Sequence, residues 1–368
     1  MPLSWTIRTP RRDYHLDFFA VPLEEPPYRL TMDSSGLASI LSNAFQFKRL
    51  EFDLPYSTCH LLSGKSLTLL RSFSGRLYPE DLSNMLDNAP ILSELEVATF
   101  PGQLRIESTT LTKLKIYGLL APETFLSILR HCPNLTHLLC VVPGCARGCV
   151  LAHHLITTHE NLRALEIRGP NQEPNFLTHL RLPNLVALNT HHNPTELRPF
   201  LESHPWQNHI LELSTRVTVS DHAGQALQKD LQRVPHVEAL KLYITSGVLT
   251  PTFVALGSDE TLPLLRRLEV VFIGQYCHDL DYNRILETLD HRTGTLHTFR
   301  LVLQVPSQSN VYAPLVWRPR KWAATGFERL MQDGMSFRIC YEASDTGKMT
   351  TWPDYEVDPG ENFELSLD

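Results

Sequence analysis

From Phe47 to Leu301 the chain keeps returning to one spacing of apolar and polar positions. An apolar residue is followed by two free positions, a second apolar residue, one free position and a third. The clear copies are FKRLEF from Phe47, LSELEV from Leu92, LTKLKI from Leu111, LTHLLC from Leu135, LRALEI from Leu162, VEALKL from Val237, LRRLEV from Leu265 and LHTFRL from Leu296. Weaker copies fill the gaps: LTLLRS from Leu67, LVALNT from Leu185 and NHILEL from Asn208. Their starts lie 19 to 31 residues apart. Alternation at the end of each copy predicts a short strand, and its last apolar position is often Val or Ile (Val97, Ile116, Ile167, Val270), as suits a buried parallel strand.

The segments between the copies carry a different period. In APETFLSILRHCPN (121–134), Phe125, Leu126 and Leu129 fall near a 3.6-residue repeat, Pro122 suits a first helical turn, and the helix must stop before Pro133. Helices are likewise predicted in PEDLSNMLDNAP (79–90), CVLAHHLITTHEN (149–161), NPTELRPFLESHP (193–205), DHAGQALQKDLQRVPH (221–236) and DYNRILETLDHRTG (281–294). Asn193 and Asp221 are candidate caps, and Pro90, Pro205 and Pro235 are stops. One strand plus one helix cannot bury an apolar face alone, so the units must stack. A period of roughly 20–29 residues is that of leucine-rich repeats. The expected fold is therefore an α/β leucine-rich-repeat solenoid of about 11 irregular repeats over residues 1–302, with strands on the concave side and helices on the convex side. Residues 303–342 are expected to form a loop and one terminal helix–strand unit (Phe327–Met331, Ser336–Cys340), and residues 343–368 a flexible acidic tail.

Composition narrows the function classes. Of 368 residues, 42% are apolar, and the formal net charge of −7 argues against a general binder of nucleic acid or anionic membrane. No run of about 18 apolar residues is present, and the N-terminal MPLSWTIRTPRRDYH lacks the apolar centre of a signal peptide. Seven irregularly spaced cysteines do not make a disulfide framework, so a cytoplasmic or nuclear setting is expected.

Candidate chemistry is sparse. SGKS (63–66) lacks the first glycine of a phosphate-binding loop, because Cys59 stands there. Cys140, Cys145 and Cys149 with His153 and His154 raise a metal site, and with it a metal-dependent enzyme built on 140–154, but no pair shows C-x-x-C spacing. His191-His192 has no nucleophile elbow or partner at a recognisable spacing. VWRPRKW (316–322) sets three cations between two tryptophans, a nucleic-acid-like cluster in an acidic chain. Asn134-Leu-Thr136 is a glycosylation sequon in form, with Leu135 at a core position. No catalytic constellation emerges, so the chain is read as a binding protein with no cofactor and no metal.

What remains is surface. In each strand the residues between the buried ones point outward. The middle outward row is Glu51, Arg71, Glu96, Lys115, Leu139, Glu166, Asn189, Glu212, Lys241, Glu269 and Arg300. The next includes Tyr117, Val141, Arg168, His191, Tyr243 and Val271. Neighbouring parallel strands lie about 4.8 Å apart, which sets Glu96 against Lys115 and Lys241 between Glu212 and Glu269. Glu96, Lys115, Tyr117, Glu166, Arg168, Lys241, Tyr243, Glu269 and Arg300 are the expected partner-binding residues, with the two tyrosines as anchors.

PLSWTIR at the start, FKRLEF, the strands preceded by CPNL and LPNL (132–135, 182–185), FLES (200–203) and GFERLMQDGMSFRI (326–339) resemble the F-box/leucine-rich-repeat proteins of the fungal type. The resemblance implies the substrate-recruiting subunit of a cullin-RING ubiquitin ligase, in which an F-box docks on the ligase adaptor and the repeats hold the protein to be modified. It implies no catalysis by the chain itself. The F-box is not evident: residues 1–46 open on a repeat-like strand and carry Pro2, Pro10, Pro22, Pro26 and Pro27 where three helices would be needed. Two readings follow, a truncated or lost F-box, or a repeat scaffold with no ligase connection.

Overall fold

The computed structural model describes residues 3–7, 42, 44–52, 62, 64–99, 105–142, 156–169, 175–190, 194–202, 209–217, 223–258, 260–273, 280–305, 319, 321–343 and 349–353. The chain divides into two units, 1–143 and 144–368. Both are mixed α/β, with mostly parallel strands and helices between them.

In the first unit six parallel strands lie side by side in chain order: β1 (Leu3–Ile7), β2 (Phe47–Phe52), β3 (Ser72–Leu77), β4 (Glu94–Thr99), β5 (Lys113–Leu119) and β6 (His137–Val141). Helix α1 (Pro79–Asn88) follows β3 and α2 (Pro122–His131) follows β5, each with proline in its first turn. The second and third apolar positions of the motif face the core. In β5 these are Leu114 and Ile116, both wholly buried and flanked by Leu95 and Val97 on one side and Leu138 and Cys140 on the other.

The second unit runs β8 (Ala164–Arg168), β10 (Ala187–Thr190), β11 (Glu212–Val217), β12 (Ala239–Thr245), β13 (Arg267–Ile273), β14 (Thr298–Val305) and β15 (Ser336–Ala343), all parallel, with β16 (Met349–Trp352) antiparallel on β15. Two short pieces, β7 (Thr157–Thr158) and β9 (Leu180–Arg181), pair separately. The helices are α3 (Pro194–Glu202), α4 (Ala223–Leu231), α5 (Leu249–Leu256), α6 (Tyr282–His291) and α7 (Lys321–Gln332). Asp281 caps α6 by accepting the Arg284 N–H at 3.2 Å. Asn193 and Asp221 lie outside the described residues.

A recurrent turn sets the strand register. Ala89-Pro-Ile-Leu92, Cys132-Pro-Asn-Leu135, Leu182-Pro-Asn-Leu185, Val234-Pro-His-Val237 and Leu262-Pro-Leu-Leu265 each close with the fourth N–H on the first carbonyl, at 3.1–3.2 Å. Proline is preset for the second place of such a turn. In these five copies the motif's first residue thus ends a turn. Leu67-Thr-Leu-Leu70 closes in the same way at 2.9 Å. Leu67 is therefore a turn residue, and the repeat begins at Leu70. This corrects the expected frame by three: the middle outward residue of β3 is Ser74, opposite Glu51 and Glu96, and Arg71 is not on that row. The asparagines of CPNL and LPNL tie one repeat to the one before, Asn134 donating to the Thr109 carbonyl and Asn184 to that of Glu160, both at 2.7 Å.

Two further expectations change. Around β11 the motif's apolar places fall on Ile210, Leu213 and Thr215, so Ser214 rather than Glu212 stands beside Lys241. Glu212 lies two residues earlier on the same face, opposite Ala239, and reaches past it to Arg267 at 2.9 Å. Of the expected 149–161 helix, residues 157–158 are strand; 149–155 lie outside the described residues. Helix α5 went unforeseen, as did β16, which falls where a tail was expected. Trp352 of β16 sets its ring edge-on to Phe327 and Phe337, both at 6.0 Å, and those two rings stack at 4.2 Å between α7 and β15.

Candidate functional site

The expected binding residues fall in both units, and each set stands on its own. In the first unit the outward face of β4 and β5 is a charge ladder. Glu96 pairs with Lys115 and Glu94 with Lys113, each at 3.4 Å, and the Tyr117 hydroxyl donates to Glu96 Oε1 at 3.3 Å. These side chains remain one-third to one-half exposed. Such pairs contribute between zero and about 1 kcal/mol each to folding, which leaves them available for a partner.

The second unit is less open than its sequence pattern implies. Glu166 and Arg168, two residues apart on β8, pair at 2.6 Å. Across β12 to β14 the register places Lys241, Glu269 and Arg300 in line. Lys241 Nζ lies 2.6 Å and Arg300 Nη1 3.4 Å from the Glu269 carboxylate, whose side chain is only 3% exposed. The Lys241 ammonium also sits 5.3 Å from the centre of the Tyr243 ring. Burial alone would lower the Lys241 pKa, but contact with the Tyr243 hydroxyl and the Glu269 carboxylate outweighs it and holds the pKa above its ordinary value.

One row further along, Val271, Val302 and Cys340 form a buried apolar cluster against Tyr243 and Ile273. Glu269 and Val271 were expected to point into open space. They do occupy the outward face, but both are buried there, because long neighbours such as Lys241, Tyr243 and Arg300 close over short ones. The same face holds residues that the sequence frame hid: Ser214 and Arg216 on β11 and Arg338 on β15. Ile210-x-x-Leu213-x-Thr215 was the signal for the first two, obscured because threonine fills an apolar place.

Among the described residues no three His, Cys, Asp or Glu side chains are grouped to hold a metal, and no helix is long and apolar enough to cross a membrane. Cys140 is buried in β6, whereas Cys145, Cys149, His153 and His154 lie outside the described residues, as do His191 and His192. Of VWRPRKW, Lys321 opens α7 and Trp322 is half exposed. Burial pushes the Cys132 thiol up to about 11, the Ser108 backbone opposing and the Glu107 charge adding. A thiol so held is a poor nucleophile at neutral pH. Comparison with protein-family models and with curated proteins found no match for this chain.

Proposed function

We propose that this is a leucine-rich-repeat protein that binds another protein through the outward face of its strands. Within that role it serves as the substrate-recognition part of an F-box-type subunit of a cullin-RING ubiquitin ligase. The observation that carries the binding role is the outward face of each unit, where charged side chains stand in register on adjacent strands, with Tyr117 on β5 and Tyr243 on β12. A repeated, laterally extended face of this kind suits a macromolecule better than a small ligand, which needs a closed cavity. The ligase connection rests on the sequence resemblance alone.

Proximity labelling in the chain's own cells identifies the partner, and calorimetry of the purified pair then measures it. Tyr117→Ala and Tyr243→Ala are each expected to weaken binding by about 1–2 kcal/mol without unfolding the protein. Unchanged affinity in both variants removes the sheet face as the site. Co-purification with the recombinant ligase adaptor tests the second half. Capture of the partner without the adaptor leaves an interaction scaffold with no ligase connection.

A further inference from the structure

The outward face of β10 and β11 holds a cluster of polar atoms that the fold leaves without partners. Asn189 Oδ1, Glu212 Oε2, Ser214 Oγ and Arg216 Nε are all shut from solvent and accept or donate no hydrogen bond. They are neighbours: Asn189 lies opposite Ser214 across the two strands, and Glu212, Ser214 and Arg216 alternate along β11 on one face. Elsewhere on this face four cations are paired, Arg168 with Glu166, Arg267 with Glu212 Oε1, and Lys241 and Arg300 with Glu269. Arg216 holds no carboxylate among the described residues.

An orphaned buried polar group loses its hydrogen bonds to water and gains none in return, so four together are a substantial local penalty in the free protein. Their chemistry states what would relieve it. Glu212 Oε2 and Asn189 Oδ1 require donors, Arg216 requires an acceptor, and Ser214 takes either. Their spacing is equally specific. Glu212 to Arg216 spans about 13 Å in two steps of two residues, the period at which an extended peptide presents its own groups.

We propose that this cluster receives an extended acidic segment of a partner protein. The segment lies along β11, its main-chain N–H groups donate to Glu212 and Asn189, and an Asp or Glu carboxylate is taken by Arg216 and the Ser214 hydroxyl. Asn189 and Arg216 are half-buried whereas Glu212 and Ser214 are closed off. Binding therefore begins with rotation of the two outer side chains. The site rests on the sheet-face binding proposed above and narrows it to one strand and one ligand chemistry.

The test is selection of short linear peptides displayed on phage against the immobilised full-length chain, followed by fluorescence titration of the enriched peptides in solution. Enriched peptides should carry an Asp or Glu, Arg216→Gln should weaken them at least about tenfold, and Lys229→Gln on α4 should leave them unchanged. Ser214→Ala should weaken peptide binding while leaving the free protein as stable as before or more so, because it removes an orphan. A loss of stability in Ser214→Ala with unchanged peptide affinity would mean that internal water satisfies the cluster, and overturns the proposal. Peptides that bind Arg216→Gln as tightly as the parent but lose affinity in Tyr243→Ala also overturn it, while leaving sheet-face binding intact. If no peptide is enriched, the β11 site falls, and the partner calorimetry above then decides whether the wider face falls with it.

Discussion

Arg292, just past the end of α6, offers the sharpest test of how the second unit is held together. Its side chain is buried and donates to four main-chain carbonyls around the turn after α5. Nε reaches the Leu256 carbonyl at 2.9 Å, Nη1 that of Leu262 at 3.0 Å, and Nη2 that of Ser258 at 2.6 Å and that of Thr261. The clamp therefore fastens Leu256, Ser258, Thr261 and Leu262, and Leu262 takes a positive φ of 51° that leucine does not favour. Arg292→Met keeps most of the volume and removes every donor. A charge-assisted hydrogen bond contributes about 1.5–3 kcal/mol, and four would sum to more than the loop can lose, because freed carbonyls can turn toward water. The expected cost is about 3–5 kcal/mol, a large part of the 5–15 kcal/mol that stabilises an ordinary domain. Arg292→Lys should fall between, since an ammonium has three donors but no planar fork. Urea unfolding followed by circular dichroism reads the cost. Hydrogen exchange locates it, with the Thr261 and Leu265 amides, now bonded to Ser258 and Leu262, exchanging faster in the variant. A variant within about 1 kcal/mol of the parent, with those amides still protected, would refute the clamp.

Three further outcomes are expected. Leu114→Asp places a charge between Leu95 and Leu138 and should abolish cooperative folding of the first unit, whereas Lys115→Asp, half exposed, should cost below about 1 kcal/mol; equal losses of melting temperature would overturn the strand register. Because the Cys132 pKa is raised in the folded state, the native protein keeps its proton while the unfolded chain loses it. Stability should therefore fall by up to about 2–3 kcal/mol as pH rises from 9 to 11, a loss absent in Cys132→Ala and read from denaturation midpoints across that range. Gly224→Ala should destabilise: helix propensity favours alanine by about 1 kcal/mol, but its Cβ would meet the Pro251 carbonyl oxygen at 2.9 Å and Cβ at 3.0 Å where α4 crosses α5, and a raised melting temperature would show that the helices separate there.

The strands were legible because their rule is local. A buried parallel strand needs apolar residues at alternate places, and eight clear copies of that pattern mark strands that the structure contains. The helices beginning at Pro79, Pro122, Pro194 and Tyr282 announced themselves by the same logic, through period and start and stop residues. The frame failed only where two residues could claim one place. Leu67 and Leu70 are both buried, and only the turn between them shows which begins the repeat; Thr215 stands in for an aliphatic and displaced the reading of β11 by two. Helix α5 carries apolar residues all round and gives little period, and β16 exists because β15 offers an edge and Phe327 and Phe337 offer rings for Trp352. The candidate surface divides in the same way. Which residues point outward follows from alternation, so Glu96 facing Lys115 could be read directly. Whether an outward residue is open depends on the length of its neighbours on adjacent strands. Those come from neighbouring repeats, distant along the chain, and only the folded register brings them together. That is why Glu269 is buried between two cations, and why the unpartnered set on β10 and β11 was invisible until the strands were side by side.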